Sequence, residues 1–115
     1  MREIGASGLV VTAHPFFNSQ WDQNIALAAR HVLPAIYESR EAPASGGLMS
    51  YGPNLPAMYR QVGIYAGRIL KGERPGDLPV QQPTKFDMVI NLRAAKALGL
   101  TPATSLLLRA DEVIE

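Results

Sequence analysis

The chain has 115 residues, 47% of them hydrophobic and 18% charged, the profile of an ordinary globular domain with a single core. Eleven Lys and Arg stand against ten Asp and Glu, scattered without a basic block, and the formal charge of +1 argues against a nucleic-acid surface. The absence of cysteine removes disulfides, thiolate metal sites and cysteine nucleophiles together, and no apolar run reaches the roughly 20 residues of a membrane span.

The first apolar run, Leu9 to Thr12 in SGLVVTAHP, is short, rich in β-branched residues and stopped by Pro15, so it predicts a buried strand. In NSQWDQNIALAARHVLP, Ser19 with Asp22 three residues on has the form of a capping box. Trp21, Ile25, Ala28, Ala29 and Val32 then recur at helical spacing. Pro34 to Glu38 is strand-like again. A strand, a helix and a strand in this order form a βαβ unit, which pairs its strands in parallel through a right-handed crossover. Ligands in such sheets sit beyond the strand C-termini, here His14 to Ser19 and Tyr37 to Arg40.

From Arg40 to Asn54 the composition turns to Ala, Ser, Gly and Pro around one apolar island, LMSY, which predicts a loop with a short extended segment. A long helix is expected from Leu55 to Lys71. Asn54 can cap it, Pro56 fits its first turn, and Gly72 stands where a left-handed closing residue is common. Leu55, Met58, Tyr59, Val62, Tyr65, Ala66, Ile69 and Leu70 give this helix a broad apolar stripe. GERPGDLP is a turn-rich connector and FDMVI a strand. NLRAAKALGL reads as a short helix between Asn91 and Gly99, and TPATSLLLRADEV as a second one starting near Thr101.

No catalytic motif stands out. His14 and His31 are far apart in sequence and in neither an HxxxH nor an HExxH frame, so no metal is expected, and His31 suits a helix C-terminus. There is no GxSxG elbow, and GASG and SGG lack the frames that cradle phosphates, so neither an enzyme nor a cofactor is expected. The cluster HPFFNSQW beyond the first strand has the chemistry of a small-molecule site: two aromatic rings, a histidine and an amide. Its plainer reading puts Phe16 and Phe17 in the core and leaves His14 exposed. MSYG is either a linker or a crossing strand that turns Ser50 and Tyr51 toward a cleft, and Tyr59 and Tyr65 read as helix packing.

Taken together, GGL followed by YG, a helix ending ILKG, then LPV, and PTKF leading into VINLRAAKALGL resemble the C-terminal part of bacterial ABC-transporter substrate-binding proteins of the tryptophan and tyrosine type. The resemblance extends back through GLVVTAHPFFNSQWDQNIALAARHVLPAIY. It implies a partial type I periplasmic-binding-protein fold within the α/β class, in which two α/β lobes joined by crossing strands close on a ligand. The implied division is a βαβ part of one lobe over residues 1–45, a crossing segment with a helix that normally packs on the other lobe over 46–80, and a return strand with short helices over 81–115.

The implied function is capture of a small organic solute, such as an amino acid, for a permease in the bacterial periplasm, without chemistry. The N-terminus MREIGASGLVVTAHP shows no secretory leader, so the chain as encoded could also be cytoplasmic. Ligand-facing positions implied by the resemblance are His14, Phe16, Asn18, Tyr37, Ser50 and Tyr51. Relatives commonly carry an acid at the strand tip, in a pattern like DPFFNS, where this chain has His14; Phe16 and Asn18 match. The stripe on the Leu55 helix needs a cover, for which a homodimer is expected. An interaction module using that helix ranks second and a small α/β enzyme third.

Overall fold

The computed structural model describes residues 4–115. The chain divides into two compact units, one formed by Met1–Gly52 with Asp87–Glu115 and the other by Pro53–Phe86.

The strands β1 (Leu9–Val11), β2 (Ala35–Tyr37), β3 (Met49–Pro53), β4 (Phe86–Asn91) and β5 (Glu112–Ile114) form one sheet in the order β1-β2-β3-β4-β5. β1 and β2 are parallel, with Leu9 opposite Ala35 and Val11 opposite Tyr37, as the βαβ pattern predicts. β2 and β3 are also parallel, with Tyr37 opposite Ser50, and so are β4 and β5. Between β1 and β2 the chain runs through α1 (Pro15–Ser19) and α2 (Trp21–Arg30). The core lies where α2 meets this part of the sheet: Ile25, Ala28, Ala35, Tyr37 and Ala42 are buried together, with Leu9, Val11 and Trp21 packed against them.

The expected capping box at Ser19 is not what forms. Pro15 presets a helical φ at the first position and His14 supplies a side-chain acceptor, so a helical turn begins earlier. Ser19 closes that turn, its hydroxyl donating to the Phe16 carbonyl at 2.8 Å, and α2 starts from Gln20 without a side-chain cap. Val32 is not on the apolar face of α2 either. It has φ +51° and is 57% exposed. It is the left-handed residue of a Schellman closure, in which its N–H donates to Ala29 and that of Leu33 to Ala28.

The stretch expected as loop contains α3 (Glu41–Ala44) as well as β3. The two glycines that frame LMSY have packing reasons. A Cβ on Gly47 would lie 2.9 Å from the Ala42 carbonyl oxygen and 3.0 Å from the Tyr37 ring. On Gly52 it would lie 2.1 Å from the Glu38 carbonyl oxygen, so at both positions only glycine lets the segment lie against its neighbours.

Asn91 ends β4 and caps α5 (Leu92–Ala97), accepting from the Ala94 N–H at 3.0 Å, while its amide donates to the Pro43 carbonyl at 2.8 Å. α6 (Thr104–Arg109) starts three residues later than expected, and the DEV at the end of that segment is not helical. Asp111 clamps Met88, its N–H donating to the Met88 carbonyl at 2.8 Å and its carboxylate accepting the Met88 N–H at 2.7 Å. This pairing draws the next residues into β5.

The second unit is built on α4 (Leu55–Leu70), capped as expected by Asn54, which accepts from the Ala57 N–H at 2.8 Å, and closed by Gly72 at φ +110°. The connector after it holds a 3-10 turn at Pro75–Asp77 and is tied back at two points. The Tyr65 hydroxyl donates to the Pro79 carbonyl at 2.6 Å, and the Arg68 guanidinium pairs with Glu73 at 2.8 Å. No residue of α4 is buried.

Candidate functional site

The site is built where β1 and β2 end. Two residues past Thr12, His14 adopts an extended backbone and its Nδ1 accepts the Phe16 N–H at 3.2 Å. The cap sets the direction of α1, and the rings that follow meet edge to face. His14 and Phe17 have centroids 5.9 Å apart at 64°, and Phe16 and Phe17 are 5.7 Å apart at 67°. Phe16 is 57% exposed and Phe17 also lies outside the core, which corrects the reading of both as core residues. Asn18 follows on the same turn, its backbone N–H donating to the His14 carbonyl at 2.9 Å. Thus His14, Phe16 and Asn18 share one short helical segment, joined through Phe17.

The other three positions lie on β2 and β3. Tyr37 is the last residue of β2 and is buried, its ring 5.7 Å from that of Trp21; burial pushes its phenol pKa up. Ser50, its register partner on β3, is buried as well. Tyr51 points to the opposite side of β3, as strand alternation requires, and is exposed.

The sequence placed Phe17 in the HPFFNSQW cluster without making it a ligand-facing position, and gave Trp21 only a place on the helix face. Phe17 is the ring that links His14 to Phe16. Trp21 buries its indole nitrogen without a hydrogen-bond partner among the described residues. The only advance signal for either was the density of aromatic residues in HPFFNSQW.

Beyond the end of β2 the polar groups are engaged with one another. The Ser39 hydroxyl donates to Glu41, and Arg40 pairs with Glu112 at the start of β5. Two cavities accompany these elements. One of about 90 Å3 lies inside the first unit among Ile25, Ala28, Tyr37, Gly47 and Leu98, too small and apolar for an organic solute. The other, about 590 Å3, is an open groove within the second unit between α4 and residues 75–85, flanked by Met58, Val62, Tyr65 and Ile69. Among the described residues no group of His, Cys, Asp and Glu could hold a metal ion, and no helix is long and apolar enough to cross a membrane.

A parallel βαβ start, a strand crossing out of the sheet into a long helix and a strand returning to it define part of a periplasmic-binding-protein-like α/β fold. Over residues 5–114 the sequence matches the family described as ABC transporter substrate binding protein, and the chain belongs to that family. Among solved structures it is similar to a conserved domain protein from Vibrio cholerae, with 27% identity and a TM-score of 0.88 over 95% of this chain and 37% of that one. It is similar in fold to an ABC domain from Streptococcus pneumonia in complex with L-Trp, with 24% identity and a TM-score of 0.88 over 98% of this chain and 38% of that one. A third similar fold is the ligand-free, open substrate binding protein CD0873 of Clostridium difficile, which has adhesive properties. It shows 22% identity and a TM-score of 0.63, over 93% of this chain and 36% of that one. The chain thus spans little more than a third of these proteins. No curated protein sequence is detectably similar to it.

Proposed function

We propose that this chain forms one wall of the solute site of an ABC importer's capture protein, working in the periplasm with a membrane permease and making or breaking no bond. The observation that carries this reading is the His14, Phe17, Phe16 ring series beyond β1, outside the core and beside the amide of Asn18, in a chain of the substrate-binding family. Rings not used for folding are available to a ligand with an apolar or aromatic part, and an amino acid is the leading class. The L-Trp held by the Streptococcus structure, which has the same fold, supports that class.

A single wall buries a solute from one side only, so binding to the chain alone is expected near the millimolar range, about −4 kcal/mol. Amide spectra recorded during titration with a panel of amino acids and small organic acids test this. Saturable shifts at His14 to Asn18 and around Tyr51 support the proposal. Absence of shifts across the panel, or shifts confined to α4, overturns it.

The exposed apolar side chains of α4 favour a second element of the proposal, self-association of the chain as a homodimer through that helix. Tyr59, Val62 and Leu70 are 71%, 64% and 88% exposed.

A further inference from the structure

We infer that His14 presents a hydrogen-bond donor to the solute, so that this wall selects an aromatic molecule by a carboxylate or another acceptor rather than by an ammonium group. The inference rests on the solute-wall reading and deepens it.

A neutral imidazole has one N–H and one bare nitrogen. At His14 the Phe16 N–H points at Nδ1 from 3.2 Å, and a donor cannot share that bond with a second donor, so Nδ1 is the bare nitrogen and the proton sits on Nε2. The tautomer is therefore set by the cap. The ring plane is held as well, since Phe17 lies edge to face with it at 64° and the His14 backbone has the extended conformation of a cap residue. His14 is exposed, and among the described residues no group accepts from Nε2, which leaves one oriented N–H beside the Phe16 and Phe17 rings.

Charge points the same way. His14, Phe16, Phe17 and Asn18 bring no anion to the cluster, so a ligand ammonium would find no counter-charge among them, only ring faces and an amide oxygen. A carboxylate would accept from Nε2 in a charge-assisted bond, with an aromatic part lying against the phenylalanines.

The test uses the whole chain in mildly alkaline buffer, at about pH 8. Long-range proton–nitrogen correlation spectra read the His14 tautomer directly, and the Nε2–H form is expected. Indole-3-propionate and tryptamine are then titrated against the His14 to Asn18 amides. They share the indole and differ in carrying only a carboxylate or only an ammonium. Indole-3-propionate should bind on the order of fivefold tighter, the effect of one added hydrogen bond.

His14→Asn keeps a cap acceptor and a donor and should preserve that order. His14→Asp keeps the cap but replaces the donor with a negative charge, and should reverse it. Detection of the Nδ1–H tautomer, equal or tighter binding of tryptamine, or an unchanged order in His14→Asp would overturn the inference. If amino acids shift these amides but the carboxylate preference is missing, this inference falls and the solute wall stands. If no compound shifts them, both fall.

Discussion

At the scale of single residues, Asn91 and Tyr37 illustrate how polar groups are built into a small core. Asn91 is 6% exposed and serves two elements at once, its oxygen capping α5 and its amide donating to the Pro43 carbonyl in α3, which also accepts the Gly46 N–H. Replacement by alanine removes a cap, at about 1 kcal/mol, and one buried hydrogen bond, at about 1 kcal/mol more. We expect Asn91→Ala to destabilise the chain by about 2 kcal/mol in urea titration, against a smaller loss for Asn91→Asp, which keeps the cap. Tyr37 gives a pH dependence. Burial raises its phenol pKa, so the folded state holds the proton more tightly than the unfolded chain. Its contribution to stability is complete below the ordinary tyrosine range near 10 and is lost as pH rises through the higher folded value. Alkaline unfolding should therefore shift to higher pH in Tyr37→Phe, read by circular dichroism.

At the scale of elements, four helices among the described residues end in the same Schellman geometry, and one of them has no glycine at the left-handed position. α3 uses Gly46 at φ +108°, α4 Gly72 at φ +110° and α5 Gly99 at φ +72°, whereas α2 uses Val32 at φ +51°. A β-branched residue there crowds its Cβ against the backbone, and an exposed side chain returns little burial in compensation. Val32→Gly should accordingly stabilise the chain by about 1 kcal/mol, seen as a raised Tm, while Gly72→Val should cost at least as much. A Val32→Gly variant of lower stability would mean that the valine side chain contributes more contact than its exposure indicates.

At the scale of the whole molecule, the first unit has a shared core and the second does not. α4 buries no residue, and each large apolar side chain left in water forgoes about 1.5 to 3 kcal/mol. A handful of these rivals the total stability of a domain of this size. Under the proposed self-association, light scattering at micromolar concentration should give twice the 12.5 kDa chain mass. Val62→Asp with Ile69→Asp should dissociate the pair. A folded monomer at all concentrations would count against a dimer through α4.

Much of this architecture could be read from local chemistry. The parallel pairing of β1 and β2 followed from a strand, a helix and a strand in succession, and α4 and α5 were bounded by Asn54, Gly72, Asn91 and Gly99, whose capping and left-handed roles depend only on neighbouring backbone. The aromatic cluster at His14 to Asn18 was visible for the same reason, as a dense polar and aromatic run after a strand. Non-local contacts decided the rest. β5 exists because Asp111 clamps Met88, a pairing that a short charged segment does not announce. Tyr37 and Ser50 turn inward, and Gly47 and Gly52 are required, because β2, α3 and β3 approach more closely than a Cβ permits. The cap at His14 is the local exception that the reading missed, since Pro15 lets a helical turn begin one residue beyond it. Sequence by itself determined which segments are strands and helices wherever the signal is a cap or a period. Only the tertiary structure decided which side chains those segments spend on the core and which they leave outside it, because that depends on distances between residues far apart in the chain.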